Sequence, residues 1–225
     1  MNHQELRLRG IKLKDLGAMQ SYLTEHAKKN PDVDLSLSYM NHAIENLSPE
    51  QLESRVVDRI TQLDLKKRPR FDSIGIEDIL VSPSEEFTEN VELSIREQYF
   101  RGALHFFQSR YGKENVMYCQ CHMDESEPHI HVGIVPVTSE GQLSATKLFT
   151  YQGTKLLAAE FHRAIAEEYT LKCAEHWKTR IHIRRQQKLR TSRRHSITCS
   201  VQYALRCTMR TTSYIQRQRQ TFANF

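Results

Sequence analysis

An α+β fold, an antiparallel sheet with helices packed on one face, is what the sequence predicts. Three observations carry this expectation. Short runs rich in β-branched and apolar residues alternate with longer amphipathic stretches. Their order along the chain is strand, helices, strand, long helix, strand, strand, helix. The long helix leads straight into two strands joined by a short loop, which marks an antiparallel hairpin rather than a parallel crossover.

Each element has its own signal. "LRLRGIKLK" (6–14) alternates apolar and basic residues, as a half-buried strand does. "DLGAMQSYLTEHAKK" (15–29) reads as a helix entered through Asp15, and "NPDVD" (30–34) as a turn or loop. "SPEQLESRVVDRITQLDL" (48–65) offers Ser48 as N-cap, Pro49 at the first helical position and Gln51 three residues after the cap. "KKRPR" is a basic connector, and "SIGIEDILVSPS" (73–84) has the β-branched content of a strand. "TENVELSIREQYFRGALHFFQSRYG" (88–112) reads as one long amphipathic helix with Gly112 as its cap. "ENVMYCQCH" and "HIHVGIVPV" read as strands, and "YQGTKLLAAEFHRAIAEEY" (151–169) as a further helix. No internal repeat is present.

Composition narrows the class. Hydrophobic residues make up 39% and charged residues 26%, as in an ordinary soluble domain. No apolar run has the length of a bilayer span, and "MNHQELRLRG" has no apolar leader. Five cysteines (Cys119, Cys121, Cys173, Cys199 and Cys207) at irregular spacing suit free thiols in a reducing cytoplasm. The net charge of +5 is unevenly spread. After Glu175 the chain has no acid and twelve Lys and Arg, so the body is about −7. Nucleic-acid affinity in the body therefore has to come from a local groove or a metal, not from overall charge. The chain divides into a domain over 1–172 and a basic tail over 173–225, acid-free after Glu175 and expected to be poorly ordered. The tail reads either as a basic arm or as the product of a shifted reading frame, and its low periodicity favours the second.

The chemistry concentrates in "HMDESEPHIHVGIVP" (122–136). Residues two apart on a strand share a face, so His129 and His131 stand side by side while Ile130 points away. "MDESEP" is short enough to fold back and bring His122 alongside. Three neutral imidazoles leave open positions on a divalent metal, which is the catalytic arrangement. Asp124 or Glu125 can add a ligand, an orienting hydrogen bond or a base. "CQCH" with "HIH" also admits a structural zinc, but Cys121 and His122 point to opposite faces of one strand. A small-molecule metallohydrolase fits the histidines alone.

The segment H-x-D-E-S-x-P-H-x-H-x-G-x-V-P resembles the metal-binding motif of the MobV-type plasmid mobilisation relaxases, the Mob/Pre plasmid recombination proteins of the HUH endonuclease superfamily. The resemblance extends through "SPSEEF" and "QYFRGALHFFQSRYGKENVMY" upstream and "GQLSATKLF" downstream. "NPDVDLSLSYMN" is similar to an early family segment ending in an Asn, here Asn41. It covers roughly residues 5–172 and not the tail. It implies a relaxase-like fold and a cytoplasmic enzyme that nicks one strand of plasmid DNA at an origin of transfer. The nick leaves the protein joined to the 5′ end. By the same resemblance His122, His129 and His131 bind Mn²⁺ or Mg²⁺, and Glu125 orients a ligand or contacts the metal, with Asp124 behind it. Longer members carry a helical C-terminal region for dimer formation or membrane association.

The attacking residue departs from the family pattern. Many members carry a histidine in an "L-G-G-x-x-x-H" segment. Aligned on Leu16 and Gly17, "LGAMQSYLTEH" puts Tyr22 at that place. Tyrosine is the usual nucleophile of the wider superfamily. His26 follows one turn later, as an alternative attacker or a base beside Tyr22. Tyr169 in "YTLK" resembles the tyrosine of related replication initiators, on a helix where tyrosine commonly just packs. Single-stranded DNA is expected across the histidine face, held by Arg7, Arg9, Lys12, Lys14, Asn41 and Lys147. A non-catalytic origin-binding remnant is the alternative.

Overall fold

The computed structural model describes residues 3–25, 33–169 and 172–173. The helices are α1 (Leu16–Glu25), α2 (Leu52–Thr61), α3 (Glu85–Asn90), α4 (Leu93–Tyr111), α5 (Ala145–Leu148) and α6 (Tyr151–Phe161). The strands are β1 (His3–Lys12), β2 (His42–Ala43), β3 (Ile74–Pro83), β4 (Val116–His122), β5 (His129–Ile134) and β6 (Lys172–Cys173). They form one sheet in the order β2-β4-β5-β3-β1-β6. All pairs are antiparallel except β1 with the two-residue β6.

The sheet buries two different faces. One carries Leu6 of β1, Ile79 and Val81 of β3, Cys119 and Cys121 of β4, and Ile130 and Val132 of β5. It meets Tyr99, Phe100, Ala103, Leu104 and Phe107 of α4, whose spacing of one, three and four residues makes an apolar stripe. Leu157, Ala158 and Phe161 of α6 complete this core, with Phe107 and Phe161 stacked at 5.6 Å. The two cysteines are thus core-filling, as their alternation predicts.

The expected helix-covered face is the one under α4 and α6. The α1–α2 pair lies across one end of the opposite face, where Leu16, Met19, Leu23, Leu52, Val56 and Ile60 pack on Ile11, Ile76 and Tyr118. That end is covered, and the remainder of the face carries the histidines.

Several boundaries differ from the sequence reading. The helix expected over 88–112 is two helices, because Val91 and Glu92 are extended (ψ 152° at each). Gly112 ends α4 at φ +88°, where its N–H still donates to Gln108. The helix expected from Ser48 begins at Leu52, with Gln51 in the left-handed region (φ 56°). Ser48 instead accepts from the Glu50 N–H at 3.2 Å as a local turn. The last stretch of the expected helix over 151–169 loosens into a π-helical turn at His162–Ala166.

Candidate active site

β4 and β5 build the centre of the site. Their register pairs His122 with His129 and Gln120 with His131. The period of two then sets His122, His129 and His131 on the face opposite Cys121 and Ile130. All three histidines are buried. The ring centres are 5.4 Å apart for His122–His129, 5.5 Å for His122–His131 and 5.1 Å for His129–His131. Metal–nitrogen bonds of about 2.1 Å put each ring centre about 3.3 Å from a shared ion, and ligand angles of about 90–110° then space the centres by about 4.6–5.4 Å. Of the observed spacings, 5.1 and 5.4 Å fall within that range and 5.5 Å just beyond it. Among the described residues no group of three His, Cys, Asp or Glu is already arranged as a metal site.

Two of the rings have a defined second nitrogen. The His129 Nδ1–H donates to the Glu127 carbonyl at 2.8 Å, which leaves the lone pair on Nε2. His131 Nδ1 meets the Asp78 carboxylate, 3.0 Å from Oδ2 and 3.2 Å from Oδ1. A carboxylate only accepts, so Nδ1 bears the proton. His131 Nε2 is buried and makes no hydrogen bond. A buried ring nitrogen of this kind is costly unless something binds it, and neutral imidazoles are common ligands of divalent metal ions. In their donor chemistry the residues present therefore fit a divalent metal.

Asp78 was not among the residues singled out from sequence, and neither was Tyr118. Asp78 lies on β3, two places from the His131 partner Leu80, on the histidine face. It is 3% exposed and also accepts from the Tyr118 hydroxyl at 2.8 Å. The available signal was the Glu77–Asp78 pair inside "SIGIEDILV", two acids in a run that otherwise reads as core.

Tyr22, on the exposed side of α1, has its ring 6.0 Å from that of His131, edge to face. It is 38% exposed, open enough to be reached from solvent. Burial, and then the charges of Glu125 and Asp78, push its phenol above the ordinary range, while Arg9 opposes them. The Arg9 guanidinium lies 5.9 Å over the Tyr22 ring. Tyr22, Glu125, Arg9 and the three histidines thus share one neighbourhood. His26 lies outside the described residues. Tyr169 packs against Tyr99 and Phe87 on the other face of the sheet.

The segment before β2 ties down the loop between β4 and β5. The Asp34 N–H donates to the Asp124 carbonyl at 2.7 Å, and the Ser38 hydroxyl to Asp124 Oδ2 at 2.6 Å. Asn41 Oδ1 accepts from the Met123 N–H at 2.7 Å. Asn41 therefore braces the backbone beside His122. Of the expected DNA contacts, Arg7 and Arg9 stand on the histidine face, and Arg7 pairs with Glu5 at 2.6 Å. Lys12 and Lys14 follow a bulge at the end of β1, and Lys147 on α5 donates to Gln142 at 2.7 Å, with no described link to the histidines.

The plasmid recombination enzyme family model matches residues 1–189. This chain belongs to the plasmid recombination enzyme family. A plasmid recombination enzyme of Bacillus thuringiensis is 36% identical over 124 residues, 55% of this chain and 28% of that protein. A type 1 member from Staphylococcus aureus is 30% identical over 149 residues, 64% of this chain and 37% of that protein. The chain thus matches only about a third of the length of these relatives. The MobM relaxase domain bound to plasmid pMV158 oriT DNA, Mn-bound, superposes with a TM-score of 0.68 at 23% identity, covering 74% of this chain and 86% of that one. A second MobM complex covers 86% of this chain and 93% of that one, at TM-score 0.67 and 21% identity. The relaxase fold is therefore shared. No helix among the described residues is long and apolar enough to cross a membrane.

Proposed function

We propose that this member of the family is a relaxase that nicks one strand of plasmid DNA at an origin of transfer and stays joined to its 5′ end. The observation that carries the proposal is the Tyr22 ring 6.0 Å from His131, itself one of three buried imidazoles whose ring centres lie 5.1 to 5.5 Å apart. The Mn-bound, DNA-bound MobM relaxase domains of the same fold support it.

In this reading His122, His129 and His131 hold a divalent cation, Mn²⁺ or Mg²⁺, which when bound polarises the scissile phosphate. Tyr22 Oη attacks phosphorus and gives its proton to Glu125, the bond to the 3′ oxygen breaks, and the 3′ oxygen leaves as a hydroxyl by taking up that proton. The new phosphotyrosyl ester keeps the bond energy, so a 3′-hydroxyl can reverse the step. The raised phenol keeps its proton at neutral pH, and Glu125 is the carboxylate best situated to receive it. Arg9 stabilises the phenolate as it forms and offers a phosphate contact.

The test is adduct formation on a labelled single-stranded origin oligonucleotide with Mn²⁺, followed by mass spectrometry of the linked peptide. The adduct should map to Tyr22, vanish in Tyr22→Phe and fall by at least about a hundredfold in His131→Ala. An adduct on another residue removes Tyr22 from the mechanism. Origin binding with no adduct under any metal condition selects a non-catalytic binding protein.

A further inference from the structure

We infer that Tyr118 is a positioning residue for the metal site, acting through Asp78 on His131; this rests on the metal reading of the three histidines. Tyr118 is buried among α1 and α2 side chains and its hydroxyl donates to Asp78 Oδ1 at 2.8 Å. The same carboxylate accepts a hydrogen bond from the Nδ1–H of His131. The three groups come from three adjacent strands, β4, β3 and β5, and form a chain that ends at the buried His131 Nε2.

The fold reserves room for this chain. Gly133 is the cross-strand partner of Tyr118, and a Cβ there would stand inside the Tyr118 ring. With glycine at 133 the ring lies flat across β5 and its hydroxyl reaches the strand beyond, where Asp78 waits. A tyrosine used only for packing has no need to cross a neighbouring strand in this way.

Competition explains why Asp78 needs a second hold. Its partner on β1 is Arg9, the cation that also faces Tyr22. A carboxylate between a guanidinium and an imidazole tends to turn to the guanidinium, which offers a bidentate pair. The Tyr118 hydroxyl fixes Oδ1, so the carboxylate stays on His131 and the ring keeps its Nδ1–H tautomer. Nε2 then presents its lone pair without reorganisation.

The experiment uses the full chain and Mn²⁺ alone, with free Mn²⁺ followed by electron paramagnetic resonance. Tyr118→Phe should weaken Mn²⁺ binding by about tenfold. Asp78→Asn should weaken it by a similar factor, and the double variant by no more than Asp78→Asn alone, because Tyr118 works through Asp78. In the metal-free protein, ¹⁵N spectra of the imidazoles should show the Nδ1–H tautomer of His131 in the wild type and a tautomer mixture in Tyr118→Phe. Unchanged affinity and tautomer in Tyr118→Phe overturn the inference, as do additive losses in the double variant. If Tyr118→Phe does not fold, the Asp78→Asn tautomer decides: an unchanged Nδ1–H form overturns it. Equal Mn²⁺ binding by wild type and His131→Ala overturns the metal reading instead, and the tautomer data still judge the hydrogen-bonded chain by itself.

Discussion

Glu77 sits beside Asp78 in sequence but on the other side of β3, 7% exposed, and its environment changes its chemistry. Burial, and secondarily the charge of Asp78, raise its carboxyl from 4.5 to about 7. Between those two values the folded chain holds a proton that the unfolded chain has released. Stability is therefore greatest below pH 4.5 as far as this group is concerned, falls as pH rises, and has lost the contribution above pH 7. Glu77→Gln should flatten the decline and stabilise the protein at pH 8 by up to roughly 3 kcal/mol, read by urea unfolding at pH 5 and pH 8. An equal effect at both pH values would assign Glu77 a charged, solvated state. The two neighbouring acids thus do different things, and alternation along a strand is what separates them. Sequence shows the pair but not the division of labour, because the partner of Asp78 lies 53 residues away.

Helices and strands were legible to different depths. The H-x-H spacing and a short loop were enough to bring His122 alongside His129 and His131, because strand geometry leaves few alternatives. The break at Val91–Glu92 was not legible, since it carries neither glycine nor proline. The start of α2 was hidden for a related reason: Gln51 takes a left-handed conformation that its residue type does not announce. What secures α4 is its seam with α6. Phe107 stacks on Phe161, Phe106 meets Phe161 at 5.3 Å, and Arg110 pairs with Glu160 at the rim. Phe107→Ala should cost about 3–5 kcal/mol in thermal or urea unfolding, from lost burial and the cavity left behind. Mn²⁺ binding measured below the new transition should be unaltered, because the histidines lie on the opposite face.

At the scale of the molecule the sheet is a partition. One side is filled by α4 and α6. The other is half covered by α1 and α2 and half given to Tyr22, the histidines and the arginines of β1. The body's negative balance means that attraction for a polyanion has to be local. Arg9→Ala should weaken single-stranded origin binding and reduce the slope of log affinity against log salt by about 0.7, the value of one phosphate contact, measured between 50 and 200 mM salt. An unchanged slope would place the phosphate elsewhere. The directly facing pair His122–His129 carries a last implication for how such a chain can diverge. Inserting or deleting residues in the turn between them is harmless only while the two strands stay in step. A slip of a single position would swing one imidazole into the oily layer beneath and bring a thiol up in its stead, so the hairpin can vary in length and lettering but not in phase.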